Sequence, residues 1–313
     1  MTSRNSDPAF ARMSPGDVLS GEGRVVRSNQ DLLSRLGFMP PTPEIGIDAL
    51  EVQAGGEIWF SLGESRFSET LGWLQEGDLL SERGQVVKRN QELIAAFRFA
   101  GEPVDLGLDA VHVLPDGELW FSLRTAAFSE ALGVTVGVGD LLSERGYLVR
   151  SVKELLANFK PESPDSDIGL DGLYVWPSGE IWFSVESGFV SSTAGGIQRG
   201  DILSDQGFVV IRNLDLVQPF SPLEDLADFG LDGLWLVTDL VVASEKGPTL
   251  ELPAFDADGE LELNWDGPGR VFQVERASDP VGPYSPASPI LPALQWRHRV
   301  ESAAGQDFYR LRQ

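Results

Sequence analysis

GDLLSERGQVVKRNQELIAAF, residues 77–97, followed by DLGLDAVHVLPDGELWFSL, residues 105–123, spells one structural unit. Asp78–Ser81 and Gln85–Lys88 are short apolar runs on either side of a Glu-Arg-Gly turn, which reads as a hairpin. LDAVHVL and ELWFSL flank Pro115-Asp116-Gly117, a second hairpin with strong turn chemistry. Between the hairpins, Asn90-Gln91-Glu92 leads into Leu93-Ile94-Ala95-Ala96-Phe97, which predicts a brief helix with an Asn cap and an acidic first turn. The unit is therefore four short strands and one short helix.

Working outward, the Gly-Asp that opens this unit returns at Gly16-Asp17, Gly139-Asp140 and Gly200-Asp201, with the aspartates 61, 62 and 61 residues apart. A unit repeated at such a period buries its apolar faces by stacking on its neighbours. The strands are apolar on both faces: Leu173 and Val175 oppose Leu170 and Tyr174, and the next strand reads Ile181-Trp182-Phe183. Doubly covered strands, four to a unit and four units in tandem, predict an all-β chain with a four-repeat β-propeller. A linear solenoid is the alternative arrangement. The column Ala49, Ala110, Gly172 and Gly233 favours the ring, because a small residue at a fixed strand position lets backbones approach. The fourth copy loses its Trp-Phe pair, reading Thr238-Asp239-Leu240-Val241-Val242-Ala243-Ser244, as a closing unit would.

The frame GLDAxxVLPDGELWFS followed by GDLLSERGxVV resembles tandem repeats of uncharacterised exported proteins of bacteria such as planctomycetes and verrucomicrobia, over residues 14–247. The count of four is similar to that of hemopexin-like propellers. These resemblances imply export and a propeller, and bring no catalytic residue with them. After Lys246-Gly247-Pro248 the period stops and prolines multiply. LELNWD at 261–266, RVFQVERAS at 270–278, QWRHRVES at 295–302 and DFYRLRQ at 307–313 predict a small β-sandwich over 248–313. Trp265 and Phe308-Tyr309-Arg310-Leu311-Arg312 resemble the core Trp and tyrosine-bearing strand of fibronectin type III modules, although the usual last strand is missing. Residues 1–13 are expected to be a flexible segment.

The 313 residues carry 48 acidic and 24 basic side chains, a formal charge of −24, which repels phosphate backbones and anionic lipid surfaces. Nucleic acid and membrane insertion are therefore not expected, and a protein or glycan surface is the expected partner. With no cysteine and only His112 and His298, thiolate chemistry, a multi-histidine metal centre and a Ser-His-Asp triad lack material.

Two sets of residues stand out as sites. Each unit carries an acidic pair four residues apart: Glu44 and Asp48, Asp105 and Asp109, Asp167 and Asp171, Asp228 and Asp232. Clustered carboxylates are what Ca2+ requires, and Asp beside Gly equally forms turns. Two residues after the small Ala or Gly come Glu51, His112, Tyr174 and Trp235, four chemistries at one strand position. In a ring these project from equivalent places to line a ligand pocket, or else pack against different neighbours. Trp59, Trp120 and Trp182 recur strictly, as core aromatics do, and the periodic Glu57, Glu118 and Glu180 lack the asymmetry of a glycosidase pair. The chain thus reads as an exported, extracellular or cell-surface protein without catalytic residues, acting in binding or as a structural component. The alternative is a carbohydrate-binding or glycosidase-like protein.

Overall fold

The computed structural model describes residues 13–21, 23–101, 105–163, 168–221, 230–236, 249–251, 253–255, 260–266, 271–292, 295–298 and 307–312. It is mostly strand, in small antiparallel sheets, with few helices. The chain divides into two compact units, one reaching to Trp176 and resuming over Ile181–Trp235, the other made of Pro177–Glu180 and Leu236 onward.

The first unit opens with a hairpin of β1 (Val18–Ser20) and β2 (Arg24–Arg27). Helix α1 (Asn29–Leu33) follows, then a four-stranded sheet in the order β3 (Ile47–Val52), β4 (Ile58–Leu62), β7 (Leu79–Ser81), β8 (Gln85–Lys88). Between β4 and β7 lies a separate hairpin, β5 (Arg66–Ser68) and β6 (Gly72–Leu74). The pattern repeats after α2 (Asn90–Ile94) as β9 (Ala110–Val113), β10 (Leu119–Ser122), hairpin β11 (Ala127–Ser129) and β12 (Val134–Val136), β13 (Leu141–Ser143) and β14 (Tyr147–Arg150). After α3 (Val152–Leu155) it recurs as β15 (Leu170–Val175), β16 (Ile181–Val185), hairpin β17 (Phe189–Ser191) and β18 (Gly195–Ile197), β19 (Ile202–Ser204) and β20 (Phe208–Ile211). Helix α4 (Asn213–Val217) closes the series.

Each sheet takes two strands from one sequence copy and two from the next, so the Gly-Asp that marks the period falls in the middle of a sheet. The reason is visible in its carboxylate. Asp78 accepts from the amide of Gln75 at 3.0 Å and from that of Asn90 at 2.8 Å, tying a turn to the start of α2. Asp17, Asp140 and Asp201 do the same for Ser14 and Asn29, Gly137 and Val152, and Gln198 and Asn213. Each thus satisfies an orphan donor at a helix N-terminus from outside the helix. Asn90, expected as the cap, is instead the first helical residue: Arg89 holds the cap position, and the buried Asn90 side chain donates to Asp105 at 3.1 Å.

Successive repeats are joined by the Ser of the WFS segment. Ser61 Oγ donates to Leu108 O at 2.8 Å, Ser122 Oγ to Leu170 O at 3.1 Å and Ser184 Oγ to Leu231 O at 2.9 Å. Phe60, Phe121 and Phe183 beside them are fully enclosed, and Trp59 and Trp120 pack into the apolar cluster of the following repeat. The inner strands β3, β9 and β15 pack side by side. A Cβ on Gly172 would stand 3.2 Å from Leu234 Cβ, and one on Gly233 2.5 Å from Leu50 Cβ, so the small-residue column does let these backbones meet. The altered fourth-copy stretch Thr238–Ser244 lies outside the described residues.

The second unit contains β21 (Thr249–Leu250) and β22 (Ala254–Phe255), both paired with β23 (Leu261–Asp266), and β26 (Gln295–His298) on the other edge of β23. A second sheet is ordered β25 (Ser285–Leu291), β24 (Phe272–Ala277), β27 (Phe308–Arg312). Leu261, Leu263 and Trp265 of the first sheet share one core with Phe272 and Val274 of the second, and the Trp265 and Phe272 rings meet at 5.6 Å. Two faced sheets around alternating inward residues are what a sandwich requires.

Candidate functional site

The inner strands carry side chains toward each other because they are adjacent and their backbones meet at small residues. Three residues of sequence, about 10 Å of extended chain, separate two clusters of unlike chemistry.

The first cluster is the varied column. Glu51 on β3, His112 on β9, Tyr174 on β15 and Trp235 come together. His112 Nδ1 lies 3.2 Å from Glu51 Oε2, close enough for an ion pair but without the alignment of a hydrogen bond. Glu51 Oε2 also accepts from the Val113 amide at 3.2 Å. The imidazole meets the Tyr174 ring at 5.1 Å and the Trp235 ring at 6.2 Å, while Tyr174 and Trp235 meet edge to face at 5.5 Å. The aromatic contacts continue through Trp176 to Trp182, at 5.1 and 5.0 Å. Glu51 is 2% exposed and His112 5%, with Tyr174 and Trp235 half-buried. Burial pushes the Glu51 carboxyl up, and His112 beside it pulls it partly back. Burial raises the Tyr174 phenol, and the Glu51 charge adds to the rise.

The second cluster gathers the later member of each acidic pair. Asp48, Asp109 and Asp171 each feel other aspartates of this set, Asp232 among them, and all four feel Glu186. Burial pushes Asp48 up to about 6, where Arg124 pulls back and Asp232 pushes further. Burial and then Asp48 push Asp109 to about 7, and burial and then Asp109 push Asp171 to about 8. Asp109 is 5% exposed, and its Oδ2 has no hydrogen-bond partner. Desolvation raises Asp232 too, and Arg199 pulls it partly back.

The earlier members behave differently. Glu44 accepts from Ser14 Oγ at 2.6 Å. Asp105 is occupied by the amides of Glu76 at 2.7 Å, Gly77 at 2.9 Å and Gly107 at 3.1 Å. Asp167 and Asp228 lie outside the described residues. The two members of a pair thus do separate jobs, one local and one at the cluster, and among the described residues no three acidic or histidine side chains stand close enough to grip a metal ion together.

Arg124 and Glu186 belong to this second cluster and were not singled out from the sequence. Arg124 Nη1 reaches Asp48 at 2.8 Å and Glu76 at 3.1 Å. The signal that would have found them is a second varied column directly after the WFS segment and its Leu or Val: Gly63, Arg124 and Glu186.

The recurring Glu residues have structural roles. Glu57 accepts from Ser81 Oγ at 2.5 Å and Trp59 Nε1 at 3.1 Å, and the Ser81 bond leads in holding its carboxyl below the usual range. Burial pushes Glu118 up, but hydrogen bonds from Ser143, Tyr147 and Trp120 outweigh it and leave the carboxyl low.

No protein-family model and no curated protein matches the chain. Among solved structures, virginiamycin B lyase from Staphylococcus aureus is similar at 12% identity over 85% of this chain and 69% of that one, with a TM-score of 0.22. Streptogramin B lyase is similar at 16% identity over 51% of this chain and 40% of that one, TM-score 0.22. PorZ, a bacterial surface component of the type-IX secretion system of Porphyromonas gingivalis, is similar at 10% identity over 88% of this chain and 46% of that one, TM-score 0.26. The chain spans less than half of the last two, and likenesses this slight transfer no activity.

Proposed function

We propose that this is an exported, non-enzymatic binding protein whose first unit is a closed four-bladed β-propeller, with β1–β2 supplying the outer half of the fourth blade. Closure is supported by equivalent contacts around the ring. The turn glycines Gly84, Gly146 and Gly207 press on Arg35, Ala96 and Asn158 after successive helices, and Gly23 of the β1–β2 turn presses in the same way on Pro219 after α4. The second unit is then an accompanying sandwich of fibronectin type III kind. An acidic chain suits an extracellular medium, and among the described residues no helix is long and apolar enough to cross a membrane.

The observation that carries the binding reading is the gathering of Asp48, Asp109, Asp171 and Asp232 with Asp109 Oδ2 unanswered. Excess carboxylate in an enclosed place invites a cation. Among the described residues no three such groups stand close enough to chelate an ion directly, so the occupant is a hydrated Ca2+ or the ammonium group of a partner protein. The non-enzymatic reading is supported by the Glu51–His112 pair, which is withheld from solvent, and by Glu57 and Glu118, whose low carboxyls are the opposite of a general acid. Calorimetric titration of the whole chain with calcium chloride, and separately with an oligolysine peptide, tests the proposal. Saturable binding of one of them, abolished by combined Asp109→Asn and Asp171→Asn, is expected. Binding of neither, or binding indifferent to the substitutions, rules it out.

A further inference from the structure

We infer a second binding site, for a neutral pyranose sugar, on the β5–β6 hairpin of the first repeat. Phe67 and Trp73 are direct cross-strand partners there, and they are 59% and 60% exposed. The two rings form an uncovered aromatic surface on a rigid two-stranded support.

The sibling hairpins show that this surface is not needed for folding. At the Phe67 and Trp73 positions the second repeat has Phe128 opposite Thr135, and the third has Val190 opposite Gly196. All three hairpins are anchored by their inward residues instead. Ser68 Oγ, Ser129 Oγ and Ser191 Oγ donate to the carbonyls of Leu36, Phe97 and Phe159, at 2.5, 2.7 and 2.6 Å. Leu74, Val136 and Ile197 are buried at equivalent places. A tryptophan left open to water where Thr and Gly suffice for the fold is surplus to packing, and paired exposed aromatics mark contact surfaces.

The chemistry of the surroundings selects the occupant. A pyranose offers a flat face of C–H bonds to the electron-rich ring face and a rim of hydroxyls to polar neighbours. Glu69 and Thr70, in the turn of the same hairpin, are exposed polar groups available to such a rim. The charge of −24 works against sulfated or carboxylated glycans and against anionic lipid, so the fitting ligand is an uncharged oligosaccharide. This site is separate from the aspartate cluster, and neither depends on the other.

Titration of the full chain with cellohexaose and maltohexaose, alongside a hyaluronan hexasaccharide, decides the matter. Binding of a neutral hexasaccharide is expected, weakened at least about ten-fold by Trp73→Thr, the residue type of the second repeat, with melting temperature and cation binding unchanged. Phe67→Ala should weaken it in the same direction. The site is overturned if neither neutral sugar binds, if Trp73→Thr leaves the affinity intact, if hyaluronan binds better than the neutral pair, or if the substitution instead abolishes self-association seen by light scattering.

Discussion

Arg124 Nη1 stands 2.8 Å from Asp48 Oδ2, so a guanidinium of the second repeat answers a carboxylate of the first across 76 residues of sequence. The same nitrogen lies 3.1 Å from Glu76 Oε2 and 3.3 Å from Gly63 O. Arg124 therefore offsets part of the repulsion among the clustered aspartates, and burial, which lowers its own pKa, is outweighed by those carboxylates.

Arg124→Gln is expected to destabilise the chain by about 1 kcal/mol at pH 8, a value kept small because the guanidinium is partly exposed. At pH 5 Asp48, raised to about 6, is largely protonated, so the part of the loss that belongs to this pair should shrink. Thermal melts at the two pH values check this, and an equal loss at both would show that Arg124 acts through packing alone.

The aspartate cluster sets a sign for the pH dependence of the repeat unit. Asp48, Asp109 and Asp171 have folded values near 6, 7 and 8, above the ordinary 3.8, so the folded chain binds more protons than the unfolded chain between those limits. Their contribution to stability is fullest below the unfolded value and is lost as pH rises through 6 to 8. Melting temperature should accordingly fall between pH 5 and pH 8.5 in the absence of divalent cations. Asp171→Asn removes the charge that costs most, and should gain about 1–3 kcal/mol at pH 8.5 and distinctly less at pH 5. A flat gain across pH would separate the effect from ionisation.

Ser61 joins two repeats with one hydroxyl: it accepts from the Ala49 amide at 2.9 Å while donating to Leu108 O at 2.8 Å. Ser61→Ala leaves both enclosed groups unanswered and should cost about 2–3 kcal/mol. Ser65→Ala, where the lost bond to Asp105 is a longer 3.3 Å, should cost about 0.5 kcal/mol. Urea denaturation of both variants measures the contrast.

These residues also show what the sequence revealed and where it fell silent. The Gly-Asp period was readable because each aspartate performs one local task, joining a turn to a helix start twelve residues on, and identical tasks leave identical residues. The small-residue column was readable for the same reason. The hairpins β5–β6, β11–β12 and β17–β18 escaped notice because three-residue strands are too short to display an alternation. The division of each acidic pair was hidden too. Spacing gave Asp105 and Asp109 equal standing, and only the path of the backbone sends one to the amides of Glu76 and Gly77 and the other toward Asp48. Arg124 stood in a legible varied column with Gly63 and Glu186, but its partners were hidden because they belong to another repeat.

Gly84 supplies the last test, and it bears on how neighbouring repeats lock together. Its φ of +83° falls in the left-handed region, and a Cβ there would stand 2.4 Å from the Arg35 carbonyl oxygen. Both backbone strain and a collision with main chain therefore oppose any side chain. Gly84→Ala should cost about 2–4 kcal/mol. Gly55→Ala, at a hairpin turn where nothing lies within 4 Å and φ is not in the left-handed region, should fall within about 0.5 kcal/mol of the parent. Because Gly84 and Gly55 differ in backbone conformation as well as in surroundings, Gly56→Ala, with φ of +79° and nothing within 4 Å, measures the strain alone, and a Gly84 loss no larger than that at Gly56 would show that the turn does not rest on the preceding helix segment. A loss at Gly84 well beyond that at Gly56 would support the contact that recurs at Gly146, Gly207 and Gly23.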